Sequence, residues 1–235
     1  MKLQRMEDIL SGHEYPGRGI LLGRSKDADK AIAAYFIMGR SENSRNRIFE
    51  KTDDGIRTRA FDETKMTDPS LIIYHPVRRT ENCMIVTNGD QTDTIRDFLA
   101  KGECYVCALR SRCFEPDPPN YTPRISGVQM KDGSYKLSIL KSANGDPSCN
   151  HRCFFEYDNP PAGTGHFIHT YQANQEPLPS FEGEPRLVAC DAPDAETLAA
   201  LLWNSLNEEN KVALYVCYTD LRDGSLDEVI INKHA

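Results

Sequence analysis

The stretch Ala33-Ala34-Tyr35-Phe36-Ile37-Met38-Gly39-Arg40-Ser41-Glu42-Asn43-Ser44-Arg45-Asn46-Arg47 joins an unbroken apolar run to nine residues with no apolar side chain among them. Tyr35 to Met38 read as a β-strand. Three arginines and two asparagines follow, so the strand end either faces water or holds an anion. Arginine suits planar, charge-assisted contact with phosphate or carboxylate, and asparagine adds neutral donors and acceptors beside it. A solvated strand end or a charged edge guard would have the same composition.

Charge is distributed unevenly around this stretch. From Arg18 to Arg59 there are ten Lys/Arg and six Asp/Glu, a local net of +4 in a chain whose total is −7. From Glu176 onward twelve acids face four bases, a local net of −8. An anion site therefore belongs in the first half, and the acidic total argues against general nucleic-acid or anionic-membrane binding. No apolar run approaches the ~20 residues of a membrane-spanning helix, and Met1 to Asp8 lack the apolar core of a signal peptide. A cytoplasmic protein is expected. The 235 residues, 39% of them hydrophobic, can bury one large core.

Further along the chain the pattern is strand-rich. Met1 to Leu10 has a short helical face. Gly19–Gly23 with Lys30–Met38, Arg47–Lys51 with Ile56–Phe61 around Asp54-Gly55, and Thr122–Met130 with Tyr135–Leu140 around Asp132-Gly133 read as hairpins. Leu71–Val77 and Cys83–Asn88 read as strands around a polar link, Arg78–Asn82. Helices are expected over Thr92–Ala100 and Glu103–Cys113. A third carries Leu198, Leu201, Leu202 and Leu206 behind a cap at Asp191 or Asp194. Arg152–Tyr157, Gly163–Tyr171, Lys211–Tyr218 and Leu226–Ile231 complete the strands, and Glu176–Pro185 is a loop. About ten strands and three or four helices, arranged in blocks, predict an α+β fold rather than a doubly wound sheet. With no long linker, one domain over 1–235 is expected.

Eight cysteines need an explanation. Cys104-x-x-Cys107, Cys113 and Cys149-Asn-His151-Arg-Cys153 could supply zinc or iron–sulfur ligands, but only one CxxC is present and its surroundings read as helix rather than a zinc knuckle. Cys83, Cys190 and Cys217 sit in apolar runs, where a reduced thiol acts as a small hydrophobe. Neither a metal nor any other cofactor is expected. The chain also lacks the glycine-rich phosphate loops, the serine nucleophile elbow and the H-E-x-x-H zinc motif. What remains for chemistry are polar groups at strand ends: Tyr74-His75, Asn88-Gly89-Asp90, Glu115 with Asp117, and Asn120-Tyr121-Thr122-Pro123-Arg124.

Taken together and in this order, Arg18-Gly-Ile-Leu-Leu-Gly-Arg24, the Ala34–Arg47 stretch, Leu71–Arg78, Val86-Thr-Asn-Gly-Asp-Gln-Thr-Asp-Thr-Ile95, Asn120–Gly127 and His169-Thr-Tyr-Gln172 resemble the archaeal-type IMP cyclohydrolase family. The resemblance covers most of Arg18 to Gln172 and implies a four-layer αββα sandwich like that of N-terminal-nucleophile hydrolases, with two stacked, mainly antiparallel sheets flanked by helices. It implies an enzyme that closes a purine ring, converting 5-formamidoimidazole-4-carboxamide ribotide to IMP and water. The partner would be this small ribonucleotide rather than nucleic acid or membrane, and the enzyme a homo-oligomer. Carried onto matching positions, Arg47, Tyr74 and Glu115 would be catalytic, and Arg40, Arg45, Asn88, Tyr121 and Arg124 would bind substrate. Two other readings stay open. One is a related amidohydrolase or transferase acting on another phosphorylated amide. The other is a non-catalytic nucleotide-binding or cysteine-based metal-sensing protein.

Overall fold

The apolar run Ala33–Met38 stays apolar at every position because its strand is covered on both faces. A computed structural model describes residues 3–66 and 68–234. In chain order the elements are α1 (Met6–Ser11), β1 (Arg18–Arg24), β2 (Lys30–Met38), α2 (Glu42–Arg45), β3 (Arg47–Thr52), β4 (Gly55–Ala60), β5 (Val77–Arg79) and β6 (Cys83–Thr87). Then come α3 (Gln91–Ala100), α4 (Tyr105–Arg110), β7 (Arg124–Met130), β8 (Tyr135–Ala143), β9 (Asp146–Tyr157), β10 (Thr164–His169), β11 (Arg186–Ala189), α5 (Ala195–Ser205), β12 (Lys211–Asp220) and β13 (Leu226–Asn232).

Six strands form one sheet in the order β11-β10-β1-β2-β12-β13, and seven form a second, β3 through β9, each paired with its neighbour in sequence. All the pairings between these strands are antiparallel. Side chains alternate across a strand with period two, and in β2 this sorts Ala33, Tyr35 and Ile37 into the core between the sheets. Ile32, Ala34, Phe36 and Met38 turn the other way and pack with α1 and α5 residues such as Ile9, Leu10, Leu198 and Leu202. On the far side of the second sheet, Ile85, Val128 and Leu140 pack with Ile95 of α3 and Leu109 of α4. The layers therefore run helix, sheet, sheet, helix, as the family resemblance implied, within the α+β class that the strand pattern predicted. Gly127 of β7 lets the sheets approach closely: a Cβ there would lie 2.8 Å from Leu22 Cδ1 of β1.

The structure corrects several expected boundaries. Leu71–Val77 is not a strand; only Val77 enters β5, and Arg78 and Arg79, expected in a link, are ladder residues. The chain turns at Pro69, whose carbonyl accepts from Ile72 and Ile73 N–H at 3.1 and 2.9 Å, and Pro76 offers no N–H for a ladder. Thr58 of β4 holds the segment instead. Its Oγ1 accepts from the Tyr74 N–H at 2.8 Å and lies 2.8 Å from the Ile72 carbonyl, while its own N–H donates to the Tyr74 carbonyl at 2.9 Å.

The first helix covers Met6–Ser11; Met1 and Lys2 of the expected helix lie outside the described residues. The helix expected over Glu103–Cys113 is confined to Tyr105–Arg110. β9 begins at Asp146 rather than Arg152. The four-residue α2, closed by a reciprocal Ser41–Ser44 capping box, and β11 were not anticipated. Asp194, not Asp191, caps α5 by accepting from the Thr197 N–H at 2.8 Å.

Thr58→Val keeps the shape but leaves the Tyr74 N–H without its acceptor. A loss of about 1–3 kcal/mol in unfolding free energy is expected by urea denaturation.

Candidate functional site

Arg47 is the first residue of β3 and is 0% exposed. Its Nε donates to the Ser44 carbonyl at 2.8 Å and an Nη reaches the Met38 carbonyl at 3.5 Å, while Nη1 has no partner. The capped turn of α2 thus aims the arginine inward rather than to solvent. Burial and the neighbouring Arg18 lower the Arg47 pKa, opposed by Tyr74, Tyr35 and Tyr15. Arg18, at the start of β1, is also buried, with Nε unpartnered. Burial disfavours its charge, but Tyr171, Glu115, Tyr15 and Tyr74 outweigh this and leave its pKa raised.

The counter-charge comes from the loop between α4 and β7. Glu115 is 2% exposed, its N–H donates to the Thr122 carbonyl at 2.9 Å, and its Oε1 has no hydrogen-bond partner. Burial pushes its pKa up to about 7, against the pull of Arg18, Arg124 and Arg47 and with Asp117 adding to the rise. Arg124 opens β7; its Nη1 donates to Gln91 Oε1 at 2.7 Å and pairs with Asp90 at 2.8 Å, and its Nε is unpartnered. Gly89 makes room for it, since a Cβ there would lie 2.6 Å from Gln91 Oε1 and closer still to Arg124 Nη1.

Phenols surround these charges. The Tyr74 and Tyr35 hydroxyls share a hydrogen bond of 2.8 Å, and burial, with Tyr74 beside it, raises the Tyr35 pKa strongly. Tyr171 stacks on Tyr15 with ring centroids 5.8 Å apart and shares a 2.7 Å hydrogen bond with Thr122 Oγ1. Arg18, Arg47 and Arg124, each with an unpartnered polar atom, all lie within electrostatic reach of Glu115, whose Oε1 is also unpartnered. A buried donor or acceptor without a partner costs about 1–3 kcal/mol, more when charged. Such a concentration is what a polar ligand would relieve.

Four of the expected site residues, Arg47, Tyr74, Glu115 and Arg124, meet here. Arg40 does not: it is half-exposed, donates to Asn174 and Gln175, and pairs with Glu176 at 3.1 Å. Its guanidinium lies over the outer wall, 5.3 Å from the Tyr15 ring centroid. Arg45 turns back onto its own turn, donating to the Gly39 carbonyl at 2.9 Å and Asn210 Oδ1 at 3.0 Å. Asn88 is fully buried and fully used. Its Nδ2 donates to the Pro123 carbonyl at 2.8 Å, and its Oδ1 accepts from Ile125 N–H and Gln91 Nε2 at 2.8 and 3.1 Å. It fixes the β6–β7 junction and so places Arg124. Tyr121, half-buried at φ 45°, packs edge-on against Phe114 beside Glu115.

Arg18, Tyr35, Tyr15 and Tyr171 were not among the expected site residues. Arg18 opens an apolar strand, which was a usable signal. Tyr35 looked like any other apolar strand residue. Among the described residues no group of three His, Cys, Asp or Glu is placed to hold a metal ion, and no helix is long and apolar enough to cross a membrane.

The family described as IMP cyclohydrolase-like protein matches residues 15–224. The chain belongs to this family. It is 28% identical over 125 residues to the IMP cyclohydrolase of Methanococcus aeolicus, covering 52% of this chain and 61% of that protein. It is 31% identical over 126 residues to that of Methanococcus maripaludis, with the same shares. For Methanopyrus kandleri the identity is 32% over 116 residues, 48% of this chain and 57% of that protein. The matched part thus spans about three fifths of these relatives' length.

Two expectations follow from the geometry. Glu115 has a folded pKa above its unfolded value, so its protonated form favours folding. Its stability contribution is fully present below about pH 4.5 and is lost as pH rises toward about 7. The loss is on the order of 3 kcal/mol. Glu115→Gln is therefore expected to raise the Tm relative to wild type at pH 8 and to narrow that gain at pH 4. Asn88→Ala strands the Pro123 carbonyl and the Ile125 N–H, and is expected to cost about 2–4 kcal/mol in urea unfolding.

Proposed function

We propose that this chain is an IMP cyclohydrolase, closing 5-formamidoimidazole-4-carboxamide ribotide to IMP with loss of water. The observation that carries the reading is the convergence of Arg18, Arg47 and Arg124 on Glu115 in an interior where each keeps an unpartnered polar atom. The substrate presents a ribosyl phosphate dianion, a carboxamide and a formamide, so it can supply both the negative charge and the hydrogen-bonding groups this interior lacks.

The carboxamide nitrogen attacks the formyl carbon. One N–C bond forms and the formyl C=O becomes an oxyanion. The C–O bond then breaks as that oxygen leaves as water with one proton from the carboxamide nitrogen and one from the former formamide N–H, and a ring C=N bond forms. Nucleophile and electrophile share one molecule, so much of the rate comes from holding the two amide groups in near-attack contact. Arg47 Nη1 and the paired Tyr74 and Tyr35 hydroxyls are the candidate donors to the developing oxyanion. Glu115, with a pKa of about 7, can accept the carboxamide proton and return it to the leaving oxygen near neutral pH. Arg18 and Arg124 have the charge to hold the phosphate.

Arg47 and Glu115 are nearly inaccessible, so part of the wall must yield for a ligand to enter. We place the entry on the side of Tyr15 and Thr122, where Arg40 and Asn120 hold the 174–178 segment through side-chain hydrogen bonds. In this reading Arg40 is a rim residue rather than a ligand in the centre. The proposal further takes the four layers as related to the N-terminal-nucleophile hydrolase fold. It locates the enzyme in the cytoplasm, as a homo-oligomer, with its soluble ribotide.

Purified protein given the formamido ribotide is expected to form IMP, followed by chromatography and absorbance. Arg47→Ala and Glu115→Gln are each expected to lower kcat by about 10²–10⁴-fold. Folded variants as active as wild type would remove the site assignment. A wild-type protein that forms no IMP would remove the activity.

A further inference from the structure

We propose that Cys104 and Cys107 form a dithiol that closes reversibly to a disulfide by exchange with a low-molecular-weight disulfide, at a site separate from the arginine–carboxylate cluster. The two sulfurs lie 2.7 Å apart, closer than two unbonded sulfurs ordinarily approach, and both residues are exposed. Cys104 caps α4, its Sγ accepting from the Cys107 N–H at 3.2 Å, so the capping contact itself holds the pair in register. α4 belongs to the outer helical layer, packed on α3 and the second sheet, and the pair faces solvent.

The environments differ within the pair and across the chain. The contact with the Cys107 thiol, and then the Cys107 backbone N–H, lower the Cys104 pKa, while the contact with Cys104 raises that of Cys107. Cys104, whose Sγ is the one that accepts a backbone N–H, is taken as the nucleophile and Cys107 as the resolving thiol. Burial raises the pKa of Cys83 and Cys217 and pushes Cys190 up to about 12, which keeps these three as inert core thiols. Cys113 and Cys149 are exposed but have no thiol within hydrogen-bonding distance among the described residues. With no third metal ligand grouped with the pair among those residues, two-thiol redox chemistry fits better than metal binding.

The exchange balances as follows. The Cys104 thiolate attacks one sulfur of the external disulfide, the S–S bond breaks, and the expelled thiolate takes up the proton that Cys104 released. Cys107 then loses its proton to solvent and attacks the Cys104 sulfur, expelling the second thiolate, which is protonated in turn. The protein's two thiols are oxidised to one disulfide, and the external disulfide is reduced to two thiols.

The test uses the full chain with oxidised glutathione, followed by alkylation, digestion and mass spectrometry. A Cys104–Cys107 linkage that dithiothreitol reverses is expected. Cys107→Ser should retain glutathione on Cys104, because no resolving thiol remains. Cys104→Ser, which keeps a good capping side chain, should form no intramolecular linkage at this site. Circular dichroism of both variants checks that the fold is kept. The proposal is overturned if both thiols of the oxidised wild type alkylate freely, if the linkage joins other cysteines, or if Cys107→Ser retains no glutathione on Cys104.

Discussion

An arginine with no accessible surface must find its hydration inside the protein, and Arg47 finds only part of it. Two backbone carbonyls take up part of its donor capacity, Nη1 is left over, and a second buried arginine, Arg18, adds like charge. Leaving such groups buried is unfavourable unless other charges offset it. Glu115 supplies that charge when ionised, the hydroxyls of Tyr35, Tyr74 and Tyr171 add polar atoms around it, and each belongs to a different segment. Much of the architecture brings these segments to one place. β1 and β2 deliver Arg18 and Tyr35, the α2 turn aims Arg47, Thr58 holds Tyr74, and Asn88 fixes the start of β7 where Arg124 lies.

The same arrangement sets stability against chemistry. A carboxyl held near a pKa of 7 is poised for proton transfer at neutral pH, and the burial that raises it weakens the folded state once it ionises. Strained or underbonded groups of this kind persist where the surrounding structure is strong enough to hold them. Here the holding structure is a core packed on both faces of β1, β2 and β12 and reinforced by helices outside each sheet.

Regular parts of the fold could be read from the chain because their residues report their own neighbours. The unbroken apolar run at Ala33–Met38 signals a strand covered twice, and Asp54-Gly55 and Asp132-Gly133 mark hairpins. Leu71–Val77 misled because its β-prone residues are held by Thr58 from another strand, a contact with no local signature. α2 was too short for a periodic pattern. For the site, residue type was informative and direction was not. Arg40, Arg45 and Arg47 stand within eight positions, yet one reaches the rim, one folds back on its own turn and one is buried. Asn88 looked like a ligand-binding amide, but its partners are the Pro123 and Ile125 backbone and the Gln91 side chain. Tyr35 carried no polar signal until its hydroxyl was seen against Tyr74.

The claim on which the rest depends is that a purine ribotide occupies the interior between Arg18, Arg47, Glu115 and Arg124. A crystal structure of the protein soaked or grown with IMP tests it most directly. The expected result is nucleotide within hydrogen-bonding distance of Arg47 and Glu115, with its phosphate on Arg18 or Arg124. Nucleotide bound instead in the open cavity of about 810 Å³ lined by Gln4, Asp8, His13, Asn174 and Arg186, with the buried cluster unchanged, would contradict it.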